Sequence, residues 1–295
     1  MTLREPGWSP CWPQGPLDPA MGAGDFCAKV WEEGMRLYRS LPWRNIDDPY
    51  AVLVSEVMLQ QTQVSRVLGY WPRFLETFPT CEALAKAPTS QVLGAWQGLG
   101  YNRRALALQR AAQECVAANG GTLPQGTEDL LALPGIGPAT AAGVRAFAHN
   151  LPGVYLETNV RTVFLHLLFP EMEKVTDKAL GPYVDAVCPP RNARAWYYAL
   201  LDFGAHLKTQ VGNPSRRSAH YSRQSTFEGS RRQKRANLLR VVLESPGITL
   251  AQAKERLDAV EVAEGREAVD EALFASVVES LVAEGFFPRE GDVLG

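Results

Sequence analysis

The sequence predicts an all-α fold with a small winged-helix-like unit at its C-terminal end. From Asp25 onward, apolar residues recur at helical spacing. No segment alternates apolar and polar residues in the manner of a strand until the far C-terminus. Pro49, Pro79, Gly120-Gly121 and Pro138 sit where periodic stretches begin or end, as helix starts and stops should.

Residues 1–23 are rich in Pro, Gly and Trp without periodicity, and are expected to be disordered. Met21, just before the periodic pattern, is an alternative start. Val30, Met35 and Leu37 mark a first amphipathic stretch ending near Leu41-Pro42. Pro49 opens a helix over Tyr50 to about Gln60, because its missing N–H costs nothing at a first turn. A third helix spans about Gln63 to Thr77, and another starts at Thr89 with Val92, Leu93 and Trp96 on its apolar side. Arg103–Asn119 is helical and stops at Gly120-Gly121. Thr127 caps a helix running to Leu133, and Pro138 starts the next, to about His149. Asn159–Phe169, Asp177–Val187 and Ala193–Lys208 follow. Residues 209–230 are polar and basic, with Arg216, Arg217 and Arg223, and read as a linker or basic loop. Helices over Gln233–Glu244, Leu250–Leu257 and Glu271–Glu284, then a hairpin within 286–294, form the C-terminal unit.

A chain of 295 residues, 46% hydrophobic, holds more than one small domain with a sizeable core. No apolar run reaches the length of a membrane span, and no leader pattern opens the chain, so a cytoplasmic protein is expected. Cys11, Cys27, Cys81, Cys115 and Cys188 fit no metal spacing and are expected to be free thiols. His149, His166, His206 and His220 are scattered, so no catalytic metal is expected. The net charge of −2 hides an asymmetry: residues 241–295 carry −8 and residues 1–23 carry −1, which leaves +7 on 24–240. A basic body suits a polyanion, although ordinary surface charge gives the same sum.

Two segments carry the chemistry. Leu133-Pro134-Gly135-Ile136-Gly137 joins two apolar helices. A helix N-terminus offers unpaired N–H groups and a positive dipole end, and glycines let a phosphate come close. Leu133, Gly135, Ile136 and Gly137 are therefore candidate DNA-backbone contacts. The second segment, Val52 to Leu59, sets Glu56 among apolar residues. Such neighbours raise a carboxyl pKa and suit it to general-acid work. Alternatively, Ser55 and Glu56 form a partly exposed polar face.

The hairpin, followed by Leu156-Glu157-Thr158-Asn159-Val160-Arg161, resembles the helix-hairpin-helix glycosylase superfamily. Ser55 to Val64, with Gly98-Leu99-Gly100-Tyr101 and Leu41-Pro42-Trp43-Arg44, is similar to the MutY-type adenine glycosylases, and the match runs from about Leu41 to Ala205. The resemblance implies a two-lobed helical core. One lobe is 48–154, with six helices and the hairpin; the other is 24–47 with 155–225, matching the family's iron–sulfur domain; 226–295 is the acidic winged-helix-like unit.

It also implies roles. Glu56 protonates adenine at N7, and Glu157 stabilises the sugar cation. The family has Asp where this chain has Glu157, so one extra methylene must be accommodated; alternatively the acid serves the helix N-terminus. Trp43, Arg44 and Leu59 match the adenine pocket, with Arg44 bonding a base edge or holding Glu56. Asp202 matches another pocket acid, or caps Gly204 locally. Gln61 and Tyr101 match residues that wedge into the duplex when a base is flipped, or Tyr101 is core packing. Ala139 stands where bifunctional relatives carry a Schiff-base Lys, so strand cleavage is not expected. The four family cysteines are missing after Gly204-Ala205, so no iron–sulfur cluster is expected. Arg216 and Arg217 in that loop are expected to meet phosphate, with Tyr221 and Phe227 packing to steady it. The family allows a monovalent cation at the hairpin carbonyls.

The resulting expectation is a monofunctional, clusterless adenine DNA glycosylase, monomeric, nucleoid-associated and bound to double-stranded DNA. A thymine or uracil mismatch glycosylase and a non-catalytic DNA-structure binder are the alternatives. A C-terminal domain that reads 8-oxoguanine, as full-length relatives carry, does not fit the remaining helical residues.

Overall fold

The computed structural model describes residues 7–219, 221–222 and 226–295, so His220 and Arg223 lie outside the described residues. The helices, in chain order, are α1 Ala23–Arg36, α2 Pro49–Leu59, α3 Val64–Thr77, α4 Cys81–Lys86, α5 Thr89–Trp96, α6 Arg103–Asn119 and α7 Thr127–Ala132. They continue with α8 Pro138–His149, α9 Thr158–Leu167, α10 Asp177–Ala186, α11 Ala193–Gln210, α12 Arg231–Glu244, α13 Leu250–Ala263 and α14 Glu271–Glu284. Strands β1 Ile248–Thr249, β2 Arg289–Glu290 and β3 Val293–Leu294 make one small antiparallel sheet in the order β1-β3-β2. Side-chain caps fix many starts: Thr80 on α4, Thr176 on α10, Ser230 on α12 and Asp270 on α14 each accept a backbone N–H. Thr249 and Gln252 complete a capping box on α13.

The chain divides into two compact units. The first holds Met1–Glu56, Leu123–Ala132 and Ile136–Arg223, and the second holds Val57–Thr122, Leu133–Gly135 and Gln224–Gly295. These boundaries cut across the expected lobes, because residues 226–295 pack with α5 and α6 rather than standing apart.

In the first unit α11 packs against both α9 and α1. Glycine permits both crossings. A Cβ on Gly34 would lie 2.2 Å from the Cβ of Ala199, and one on Gly204 would lie 2.2 Å from the carbonyl oxygen of Asn159. The core there is aromatic, with Phe26, Phe164, Tyr183, Trp196 and Tyr197 all fully buried.

Two expectations for this unit are corrected. The described part of the N-terminal extension is packed, not disordered. Trp12 donates to the Met21 carbonyl at 2.7 Å and lies edge-on to Phe26, and the backbone N–H and C=O of Leu17 both bond the Tyr183 hydroxyl. Low-periodicity composition hid a few large aromatic anchors. The stretch after α11 is likewise built into the unit. A 3-10 turn over Pro214–Arg217 buries Pro214 and Ser215, Asn213 caps it, and Val175 bridges to Ser218.

In the second unit α6 packs on α4 and α5, and α12 packs on α13 and α14. Gly285, left-handed at φ +82°, ends α14. The buried acid Glu261 organises the C-terminal part: Arg266, Lys234 and Asn237 all donate to it, holding its carboxyl down at about 2. Among the described residues no helix is long and apolar enough to cross a membrane.

Candidate active site

Helix α2 is apolar around its whole circumference, so it is a buried helix rather than an amphipathic one. Ser55 is 2% exposed and returns its hydroxyl to the Val52 carbonyl at 2.8 Å, so it does not share a solvated face with Glu56, which is half-buried. Glu56 is the carboxylate this helix carries into the first unit. Its Oε2 lies over Gly143 of α8, where a Cβ would stand 2.1 Å away. The Tyr155 hydroxyl donates to it. Burial pushes the Glu56 carboxyl up to about 8; the nearby negative charge of Glu157 adds to the rise, and the tyrosine bond opposes it. The surroundings are aromatic: Phe147 stacks on Tyr198 at 5.0 Å and meets Tyr155 edge-on at 5.2 Å, and Tyr155 meets Tyr197 at 5.3 Å.

Glu157 is the N-cap of α9, with Oε1 accepting from Asn159 N at 2.6 Å and Val160 N at 3.1 Å. The residue is half-buried. Burial raises its pKa, while Lys208, the two backbone N–H groups and Arg161 pull the other way. Lys208 is itself positioned by donating to Asn159 Oδ1 at 2.7 Å. Glu157 therefore caps the helix, and its charge lies within reach of the charge on Glu56. The pair has unequal environments. Glu157 has donors and cations to keep it ionised, whereas Glu56 has an aromatic wall and one hydroxyl. Burial raises both carboxyls, and Glu157 has more donors and cations opposing the rise than Glu56 has.

Arg44 and Asp202 do something different from what was expected. Arg44 donates to both oxygens of Asp202, at 2.7 and 2.8 Å, and to the Arg39 carbonyl at 2.8 Å. Arg39 adds bonds of 2.6 and 3.0 Å from its side chain and its backbone N–H. The Arg44 guanidinium also faces the Tyr198 ring at 4.5 Å. The Arg44 side chain is 3% exposed and that of Asp202 is 0% exposed. Arg44 thus neither holds Glu56 nor offers a base edge, and Asp202 caps nothing. They are a buried, bidentate pair that ties the segment before α2 to α11. Trp43 is also inside, at 6% exposed.

The second unit holds the predicted wedge residues, together with half-buried Leu59 at the end of α2. Gln61 and Tyr101 are both exposed, and both adopt left-handed backbone, at φ +54° and +49°. Tyr101 is 39% exposed, so it is not core packing. A positive φ in a non-glycine residue marks strain that the surroundings must hold. Arg104, which no motif singled out, holds it. Its guanidinium donates to the carbonyls of Val57, Met58 and Gln60 on one turn, to those of Leu99 and Gly100 on the other, and to the Thr62 hydroxyl.

The hairpin turn divides its candidate residues. Leu133 and Ile136 bury their side chains, at 9% and 7% exposed, while Gly135 is exposed at φ +75° and a Cβ on it would stand 2.5 Å from the Cβ of Ala107. Gly137 precedes Pro138 at the start of α8, and a Cβ there would meet nothing within 4 Å. Arg216 is exposed, but Arg217 is not a phosphate ligand. Its guanidinium donates to the carbonyls of Leu165, Phe169, Pro170 and Met172 at the end of α9. Tyr221 and Phe227 are 41% and 53% exposed and so do not steady this loop; Arg217 does, by satisfying the orphan carbonyls of a helix end.

The loop that the resemblance matches to the family's cluster site is built without cysteine. The loop has no thiolate, all five cysteines lie elsewhere in the chain, and among the described residues no three potential ligands gather. Sequence reasoning also missed Tyr155, Gly143 and Lys208. Only Gly143 had a readable signal, a glycine inside an otherwise regular helix.

Comparison with known proteins gives this arrangement its relatives. Residues 54–182 match the family model described as the HhH-GPD superfamily base excision DNA repair protein. The chain is 33% identical over 274 residues to the adenine DNA glycosylase of Mycolicibacterium smegmatis, covering 86% of this chain and 92% of the relative. It is 37% identical over 178 residues to that of Mycobacterium tuberculosis, 59% of each. It is 32% identical over 168 residues to that of Buchnera aphidicola, 57% of this chain but only 48% of the relative. Among solved structures, a thermostable thymine-DNA glycosylase aligns with TM-score 0.55 and 25% identity, over 62% of this chain and 86% of that one. A non-covalent endonuclease III–DNA complex aligns with TM-score 0.56 over 65% of this chain and 90% of that one; at 18% identity it speaks for the fold alone.

Proposed function

We infer the reaction from one premise: the chain belongs to the MutY-type adenine DNA glycosylases of the HhH-GPD superfamily of base excision DNA repair proteins. The reading is a monofunctional DNA glycosylase that removes adenine mispaired with 8-oxoguanine or guanine. The observation that carries it is the unequal carboxylate pair, Glu56 pushed up to about 8 beside a cation-supported Glu157.

Protonated Glu56 gives its proton to adenine N7 as the bond from the sugar C1′ to N9 breaks. The departing base takes the bonding electrons, and positive charge grows on the sugar. Glu157, with Lys208 and Arg161 keeping it ionised, stabilises that charge. Water adds at C1′, its proton returns to Glu56, and an abasic site and free adenine remain. The hairpin N–H groups at Gly135 and Gly137 take a DNA phosphate, and Gln61 and Tyr101 fill the gap left by the extruded base. Ala139 supplies no amine, so no Schiff base forms and no strand is cut. The protein acts on double-stranded DNA as a monomer, without an iron–sulfur cluster.

The test is single-turnover base release on labelled duplexes, before and after hot alkali. Release from A opposite 8-oxoguanine and from A opposite G, visible only after alkali, is expected. Release from T or U opposite G instead would move the chain to the pyrimidine-releasing relatives, toward which the thymine-DNA glycosylase likeness points.

A further inference from the structure

Glu56 leaves α2 against a phenol. Tyr155 is buried, and its hydroxyl donates to the Glu56 carboxyl. Both side chains crowd one spot on α8: a Cβ on Gly143 would stand 2.1 Å from Glu56 Oε2 and 3.0 Å from Cε2 of the Tyr155 ring. The glycine therefore makes room for the pair. Packing fixes the ring, which meets Phe147 edge-on at 5.2 Å and Tyr197 at 5.3 Å.

Tyr197, fully buried on α11, fixes the backbone as well. Its hydroxyl accepts from the Tyr155 N–H at 3.2 Å and donates to the Gly153 carbonyl. One phenol on α11 thus grips segment 153–155 by a donor and an acceptor, and the phenol at 155 reaches on to Glu56. The other titratable groups facing Glu56 are Glu157 at the start of α9 and Tyr198 on α11, whose ring has the Arg44 guanidinium over it. Helix α8 presents Gly143, which does not titrate.

A protonated carboxyl has one carbonyl-type oxygen and one O–H. A phenol donating to the first leaves the proton on the second. We propose that Tyr155 is a positioning residue for the Glu56 proton: gripped by Tyr197, its hydroxyl holds one carboxyl oxygen and turns the other, with its proton, toward the departing base. This rests on the glycosylase reading above. The same bond favours the ionised carboxylate, so Glu56 is a stronger acid than burial alone would leave it.

The test is single-turnover base release by the full chain from A opposite 8-oxoguanine, followed from about pH 5 to about pH 10. Tyr155→Phe keeps the ring and its packing and removes the hydroxyl. It is expected to slow release roughly tenfold at neutral pH and to move the alkaline fall-off up by about one pH unit, because nothing then favours the carboxylate. A merely structural role would lower the melting temperature and leave the fall-off in place. Tyr197→Phe, altered one step further from Glu56, is expected to change rate and fall-off in the same direction by less, and it reads the shift if the first variant does not fold. The double variant should be no slower than Tyr155→Phe alone, since Tyr197 acts through Tyr155. An unmoved fall-off in the folded variants, with release unchanged or merely slowed, overturns the proposal while the glycosylase reading stands. No release by the unaltered chain from any duplex overturns both.

Discussion

Two acids in this molecule read alike in sequence and do opposite things. Glu56 stands in Val54-Ser55-Glu56-Val57 and Asp202 in Leu201-Asp202-Phe203, each a lone carboxylate in an apolar helix of the same unit. Asp202 is wholly enclosed, yet Arg44 and Arg39 meet both of its oxygens. Glu56 has a tyrosine hydroxyl, a glycine surface and a second carboxylate. Apolar neighbours are common to both; the partner decides. An enclosed acid with two guanidinium groups is a structural tie, and an acid facing another acid has its proton held more tightly.

The largest effect should come from removing that proton. Glu56→Gln is expected to lower single-turnover base release by about 10³-fold or more, with duplex affinity nearly intact. Unchanged release would end the acid assignment. The matching change on the other acid should act on folding instead. Asp202→Asn leaves Arg44 buried with half a partner and should cost on the order of 3–5 kcal/mol, seen as a lower denaturation midpoint, while the rate per folded molecule stays near normal. Loss of activity without loss of stability would mean that Asp202 belongs to the chemistry after all. Replacing both Arg44 and Asp202 with apolar residues should recover most of the stability.

Glu157→Gln comes next. The amide oxygen can still cap α9, so stability should hold, while losing the charge should slow base release roughly 100-fold. Equal rates would reduce Glu157 to a cap. The smallest effect is on stability against pH. Glu56 has its proton bound more tightly in the folded chain, at about 8 against 4.5 for the ordinary carboxyl, so ionisation in the unfolded chain draws stability down as pH rises from 4.5 to 8. The Glu56→Gln protein escapes this. Its melting temperature should match the parent near pH 4 and exceed it by an amount that grows up to about pH 8, corresponding to at most a few kcal/mol. Base release by the parent should decline above the same pH.

Much of this was legible in the sequence because it is local. Helix bounds follow periodicity and caps, and α6, α8 and α14 fall where the pattern puts them. The hairpin turn is set by five adjacent residues, but the burial of the Leu133 and Ile136 side chains was not read from them. What the sequence did not reveal depends on pairings across long separations. Arg44 meets Asp202 across 158 positions, and Arg217 reaches the end of α9 from 52 positions away. An arginine in a basic stretch has the same letters whether it faces phosphate, as exposed Arg216 can, or plugs a helix end, as Arg217 does. The packed N-terminal segment was hidden for the same reason, since the partners of Trp12 and Leu17 are Phe26 and the remote Tyr183.

Arg104 ties the turn at 57–62 to the turn at 99–100 through one guanidinium. Two stretches some forty positions apart in the gene are therefore one mechanical part. A displacement of either tip is felt at the other. Inheritance sees the same coupling: a substitution at Gln61 will have a consequence that depends on what stands at position 101, and drift at one tip is constrained by the other.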